Sequence, residues 1–302
     1  MFNTVSTATN RFLADLSSLE KRLIKSQEQV SSGLRMQTVS DDPDQVSTLL
    51  QLKAQVAHND QLKYNLGRVQ TEVSSAEQAI NNATSLMDSA RQIATEGANG
   101  TTTIPTRTQL AGQVKDIITE IFGLTNTTVE GRYVFSGNND QTAPFASVDL
   151  STANGLGAYQ GSNNSRTIEH PNGSTFSVSL TASEIFDHGG ASTSVLQSLT
   201  SLYNNLINNN VASLATDEAN IQASSSYLSG QQERYGQIQI QVADGLTFQA
   251  KQSVQLSAQL SNTQDADTTA AITNMQQASL SVQAALQAQA ALPKKSLFDF
   301  LG

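Results

Sequence analysis

The sequence predicts a mainly α protein with a small β insert, in which both halves of the chain build one long antiparallel helical or coiled-coil rod. Three observations predict it. Leu66, Val73, Ile80, Met87 and Ala94 recur every seven residues, and Val69, Ala76, Ala83 and Ala90 follow the first four by three places. Alternating steps of three and four put all nine on one stripe of a helix, the seam of a coiled coil. A second stripe, Leu214, Ile221, Leu228, Tyr235 and Val242, repeats the spacing, with Leu256 fourteen further on. The two stripes stand over a hundred residues apart, so the chain runs out, turns and returns along itself. Between them, from Gly131 to about Gly190, helical periodicity gives way to Gly, Asn, Ser and Thr.

Composition narrows the function. At 302 residues the chain has ample length for a core, yet only 14% is charged, 5% is aromatic and Trp is absent. Such material suits long helices packed on small side chains better than a compact globule. A net charge of -9 argues against a nucleic-acid binder, which needs Lys and Arg to displace counterions. With no cysteine there is no disulfide, thiolate nucleophile or Cys-type zinc site. No apolar run reaches the eighteen or so residues that cross a bilayer, and the opening MFNTVSTATNRFLADL lacks the basic region and apolar core of a cleaved signal peptide.

Taken in order, Phe12, Leu16, Leu19, Leu23 and Val30 mark a first amphipathic helix, weakened by Ser26 and Gly33 in its seam. A helix of this quality is marginal in water and orders best against a partner. Gly33 ends it. Ser40-Asp41-Asp42-Pro43 starts the next helix, with Asp as N-cap, Pro in the first turn and acidic charge at the positive end of the dipole. Unbroken to Glu96, that helix is about 80 Å long, at about 1.5 Å per residue. Leu110, Val114, Ile117, Ile118 and Ile121 mark a third helix.

Gly131 to Gly137 then reads as a short β-run bracketed by glycines. Arg166–His170 and Ser174–Val178 flank Pro171-Asn172-Gly173, and Asn-Gly between two alternating runs is a strong hairpin signal. Helix resumes near Ser192 and continues, with breaks, to Ala291. In the last stretch Ile272, Met275, Val282 and Leu286 share a face, with Ser279 interrupting it. Leu16, Leu23 and Val30 at one end, and Ile272, Met275, Val282 and Leu286 at the other, are the candidate partner and assembly residues.

No catalytic constellation emerges. His58, His170 and His188 lack metal-ligand spacing. Gly155, Gly157 and Gly161 have the wrong spacing for a nucleotide loop, and no βαβ pattern surrounds them. Asp41-Asp42 and Asp265-Ala266-Asp267 stand just before helical runs and read as caps rather than acid–base pairs. The expectation is a protein that is no enzyme and takes no cofactor and no metal.

Several stretches together resemble the flagellin family of axial filament proteins. Ser31-Ser32-Gly33-Leu34-Arg35 followed by Ser40-Asp41-Asp42-Pro43 is similar to the family's S-S-G-x-R…D-D block, and Asp265-Ala266-Asp267 to its D-A-D block. The D-D-P form, Gly131-Arg132-Tyr133-Val134-Phe135-Ser136-Gly137, Tyr159-Gln160-Gly161 and the ending Ser296-Leu297-Phe298-Asp299-Phe300-Leu301 pull the resemblance toward the branch of hook–filament junction proteins. Gln37, Val39 and Ser162 depart from the family's usual Asn, Pro and Asp.

The resemblance implies three layers. Terminal coiled-coil helices, 1–42 with 265–302, form an inner layer that stays disordered in the monomer. A helical rod comprises 43–130 with 191–264, and an outward-facing β module comprises 131–190. It also implies type III export without a cleaved signal, an extracellular place in the bacterial flagellum, and self-association in a ring. The implied partners are hook-associated protein 1, flagellin and an export chaperone, with neither nucleic acid nor membrane. Flagellin itself and a cytoplasmic coiled-coil scaffold are the alternatives; a glycan-binding or hydrolytic role for the β module comes third. Hydrogen exchange on the purified monomer should be fast in both ends and slow between roughly Leu52 and Val242; strong protection of residues 5–30 would refute terminal disorder.

Overall fold

A computed structural model describes residues 2–38, 40–171, 173–188 and 193–291. Six helices account for most of them: α1 (Phe2–Ser32), α2 (Pro43–Ala98), α3 (Ile104–Thr125), α4 (Val195–Ile207), α5 (Val211–Gln264) and α6 (Thr268–Ala291). Four short strands lie between α3 and α4: β1 (Thr128–Val129), β2 (Arg132–Tyr133), β3 (Thr167–Glu169) and β4 (Thr175–Ser177). The mainly α class with a small β insert is therefore the observed one. By packing, the chain forms two compact units, Met1–Asn59 with Gln252–Gly302, and Asp60–Lys251.

In the unit Asp60–Lys251, α2 and α5 run antiparallel. The Thr95 hydroxyl donates to Glu218 at 3.1 Å, Arg91 to Gln222, and Gln239 to Glu77, so positions rise on one helix as they fall on the other. All nine stripe residues of α2 are buried, as are Leu214, Ile221, Leu228, Tyr235 and Val242 of α5. Burying each of these larger side chains contributes roughly 1.5–3 kcal/mol. The alanine row on α2 lets the helices close on one another, and α3 and α4 pack together beside them with Leu110, Val114, Ile118, Ile121, Leu199, Leu202 and Leu206 in the same core.

The second row of the α5 seam escaped the sequence reading because it is mostly polar: Asp217, Ser224 and Gln231, each buried. Asp217 and Ser224 find partners on α4 and its approach, and Gln231 accepts from Arg234 on α5 itself at 3.1 Å. Asp217 accepts from the Ser201 hydroxyl at 2.6 Å and from Asn205 Nδ2 at 2.7 Å. Ser224 shares a hydrogen bond with Ser198 at 3.1 Å and lies within 2.6 Å of the Thr193 carbonyl oxygen, to which it can donate. Satisfied in this way, buried polar groups are tolerated. At the end of α2, buried Arg107 donates to the carbonyls of Gly97 (2.8 Å) and Asn99 (3.0 Å) and to Asn209 Oδ1 (2.9 Å), closing two loops with one side chain.

The β insert differs in detail from its sequence reading. Of Gly131 to Gly137 only Arg132–Tyr133 is strand. Glu130 (φ 51°) and Gly131 (φ 76°) form a two-residue turn with left-handed backbone at both positions, which joins β1 to β2 as an antiparallel hairpin. Glu-Gly is a weaker signal for this turn than Asn-Gly, so β1 went unread. Val134 donates one further cross-hairpin bond to the Thr127 carbonyl at 3.0 Å, and Val134, Phe135 and Ser136 then sink into the core. The second hairpin forms as expected, with Ile168 opposite Phe176; Asn172 of its turn and Ser192, the expected restart of helix, lie outside the described residues. A π-helical turn, Ser183–Asp187, went unread too; its Phe186 meets Phe135 edge-on at 5.7 Å. Tyr235 links the insert to the seam: its fully buried hydroxyl accepts from the Leu180 N–H at 3.1 Å, and burial pushes the phenol well above its ordinary pKa.

The glycines at the two ends of this segment are not equivalent. Gly131 faces open space, whereas a Cβ on Gly137 (φ 61°) would lie 2.4 Å from the Ser162 carbonyl oxygen and 2.6 Å from that of Asn164. Gly131→Ala should cost only the left-handed backbone strain, about 1–2 kcal/mol, while Gly137→Ala adds a backbone collision. Thermal melts of the two variants test this; equal shifts would show that the loop at Ser162 yields freely.

Candidate assembly surface

In the unit formed by Met1–Asn59 and Gln252–Gly302, α1 and α6 pack along their lengths. Gly33 hydrogen-bonds to Ala266, and Ser26 shares a groove with Ala278, so the two helices run antiparallel. On α1 the contact stripe is Leu16, Leu19, Leu23, Ser26 and Val30, of which Ser26 is buried and the rest half-buried. On α6 it is Ala271, Met275, Ala278 and Val282, with both alanines buried. Leucines on one helix meet small residues on the other, as ridges fill grooves.

The seven candidate residues thus divide. Leu16, Leu23, Val30, Met275 and Val282 are half-buried between the helices. Ile272 (41% exposed) and Leu286 (51%) lie outside that stripe and face solvent. Leu13, Ile24 and Leu280, not singled out from the sequence, are exposed as well. A helix with apolar residues on two sides reads ambiguously in sequence; only the partner helix decides which side is taken. Among the described residues, α1 and α6 thus leave these five large apolar side chains exposed.

The two ends are tied together where α1 meets α2 and α5 meets α6. Gly33 (φ 71°) ends α1 in the left-handed conformation that glycine adopts without strain. Ala266 N–H donates to the Gly33 carbonyl at 2.9 Å, Leu34 bridges Asp265, and Arg35 and Met36 both donate to the Gln264 carbonyl. The Arg35 guanidinium then reaches Asp42 at 3.1 Å and the Thr263 carbonyl at 2.8 Å. Gln37, one of the departures from the family pattern, donates to Ser32 Oγ and to the Glu28 carbonyl. The S-S-G-x-R…D-D and D-A-D blocks, read separately in sequence, form one joint.

The acidic pairs serve this joint in different ways. Asp267 caps α6 by accepting from Ala270 N–H at 3.0 Å, as expected. Asp42 stands before α2, but its carboxylate pairs with Arg35. Asp41 folds the loop instead: one oxygen accepts from Gln37 N–H (3.0 Å), Thr38 N–H (2.8 Å) and the Thr38 hydroxyl (3.1 Å), and the other meets Lys25 at 3.3 Å. The Thr38 and Gln37 amide donors hold its carboxyl down to about 2.

Among the described residues no His, Asp and Glu cluster could hold a metal, and no helix is long and apolar enough to cross a membrane. His170 lies beside Phe176 and Phe248, and His188 beside Tyr227.

Residues 2–140 match the family model of the bacterial flagellin N-terminal helical region. Two of the relatives it resembles share a name, and a third is a flagellin of Clostridium tyrobutyricum, 26% identical over 179 residues, 57% of this chain and 46% of that protein. Flagellar hook-associated protein 3 of Salmonella typhimurium is 29% identical over 178 residues, which is 58% of this chain and 53% of that protein. Flagellar hook-associated protein 3 of Escherichia coli is 34% identical over 122 residues, 39% of this chain and 38% of that protein. The matches thus span about half of these relatives' length or less. A solved structure from Vibrio parahaemolyticus, assigned as a flagellar hook-associated protein, superposes with a TM-score of 0.65 at 22% identity, covering 74% of this chain and all of that one. The resemblance to the flagellin family read in the sequence is borne out.

Asp41 supplies a test of the joint. A carboxyl held below its ordinary value of about 4 contributes stability that is complete above that value and is lost as pH falls through about 2. The Gln37 and Thr38 amide resonances should therefore titrate with a midpoint near 2 in the folded protein; a midpoint near 4 would mean that the hydrogen bonds to Asp41 do not hold in solution.

Proposed function

We propose that this chain is a structural, non-catalytic subunit of the bacterial flagellum, an adaptor at the junction of hook and filament. The observation that carries the reading is the terminal unit: motif blocks from both ends lock into one joint, while the helices they tie together keep apolar side chains exposed. A subunit exported before it assembles needs such a unit, weak enough to stay open alone and completed by neighbours. Head-to-tail contacts of this kind build rings and helical arrays. On this reading the inner layer is 1–42 with 265–302, the helical layer 43–130 with 191–264, and the outer module 131–190.

The partners are hook-associated protein 1 on one side, flagellin on the other, and further copies of the chain within the ring. An export chaperone covers the terminal helices beforehand, and the protein reaches the flagellum through the type III route without a cleaved signal. Among the assembly residues, Leu16, Leu23, Val30, Met275 and Val282 hold α1 to α6, and Ile272 and Leu286 meet the neighbours.

Immunogold labelling of isolated hook–filament complexes tests the placement: a band at the junction is expected, and label along the filament would make the chain a flagellin. Ile272→Asp with Leu286→Asp should abolish filament attachment while circular dichroism and the thermal melt of the unit Asp60–Lys251 stay unchanged. Restored attachment with that double variant would remove these two residues from the subunit contacts.

A further inference from the structure

We propose that Asn99-Gly100 is a spontaneous deamidation site at which the folded turn itself promotes the conversion of Asn99 to aspartate and isoaspartate. The chain contains three Asn-Gly pairs, Asn99-Gly100, Asn154-Gly155 and Asn172-Gly173. Glycine after asparagine leaves the following backbone nitrogen sterically open. Reaction further requires that this nitrogen be free and that solvent base reach it, and it is accelerated where donors already aimed at the side-chain oxygen stabilise the charge that develops there.

Asn99 meets both requirements and has donors so placed. Asn99 and Gly100 are exposed in the turn after α2, and the Gly100 N–H has no hydrogen-bond partner among the described residues. Asn99 Oδ1 accepts from the Thr101 N–H at 3.1 Å and from the Thr101 hydroxyl at 3.0 Å. These two donors point at the oxygen that carries the negative charge of the tetrahedral intermediate. In the reaction Gly100 N gives its proton to hydroxide and attacks Asn99 Cγ. The N–Cγ bond forms, the Cγ–Nδ2 bond breaks, and ammonia leaves a five-membered succinimide. Water then opens the ring at Cγ to give aspartate, or at the former main-chain carbonyl carbon to give isoaspartate; water enters, ammonia departs and nothing is oxidised.

The surroundings also favour one product. The Asn99 main-chain carbonyl accepts from Arg107 Nη2 at 3.0 Å. In isoaspartate that carbonyl carbon becomes a free carboxylate, so the guanidinium already in position would hold it by a charge-assisted bond. Asn154 is the counter-case. Its Oδ1 also accepts two bonds, from Leu156 N–H and the Thr152 hydroxyl. Yet Gly155 is buried and its N–H donates to the Thr152 carbonyl at 3.3 Å, so the nucleophile is engaged and shielded from base. Asn172 lies outside the described residues.

The test incubates the purified full-length protein at mildly alkaline pH, folded and in urea, and follows each site by peptide mapping with isoaspartate detection. Asn99 should convert several-fold faster in the folded protein than in urea, and Asn154 several-fold slower. Thr101→Val, a change at an exposed position, should slow Asn99 several-fold in the folded protein and leave its rate in urea unchanged. The proposal is overturned if folding does not accelerate Asn99, if Thr101→Val has no effect on the folded protein, or if its effect is as large in urea.

Discussion

The antiparallel seam between α2 and α5 is the interaction on which the rest of the unit Asp60–Lys251 depends. Nine positions of α2 and five of α5 repeat at heptad spacing and are all buried. The seam residues share one core with those of α3 and α4, so the short strands need supply little stability. Two-stranded hairpins are marginal alone; here Phe135, Phe145 and Phe186 anchor theirs in the helical core. Tyr235 serves both layers, as a seam residue by position and as an acceptor for the insert by its hydroxyl.

The terminal unit follows a different design. Its helices pair through half-buried leucines and buried alanines, and its strongest fixed points are polar: the Arg35 bridge across the two ends and the amide donors around Asp41. Polar bonds of this kind set geometry more than they add stability. The joint thus has a defined geometry while the helices beyond it stay incompletely buried, and its N-terminal half falls within residues 2–140, the region that matches the flagellin family model.

The two units also show how one residue type does different work in different settings. Aspartate caps α6 at Asp267, pairs with arginine at Asp42, folds a loop at Asp41 and fills a coiled-coil position at Asp217. In each case the donors within reach decide the role: a free helix N-terminus, a guanidinium, two consecutive amides, or a serine and an asparagine on a neighbouring helix.

Sequence by itself determined the helices, the return of the chain on itself, the Asn-Gly hairpin and the resemblance carried by the motif blocks. Heptad spacing and turn chemistry are local, and a run of nine matched positions leaves few alternatives. Which face of α6 meets α1 was decided only by tertiary structure. Ile272, Met275, Val282 and Leu286 share a helix face, but the leucines of α1 select the alanines as their grooves and leave Ile272 and Leu286 outside. The polar α5 row, the Glu130-Gly131 turn, the Arg107 clamp and the meeting of Arg35 with Thr263 were likewise beyond the sequence. Each depends on a partner brought near by folding, and a polar side chain in sequence gives no sign of which distant donor or acceptor will satisfy it.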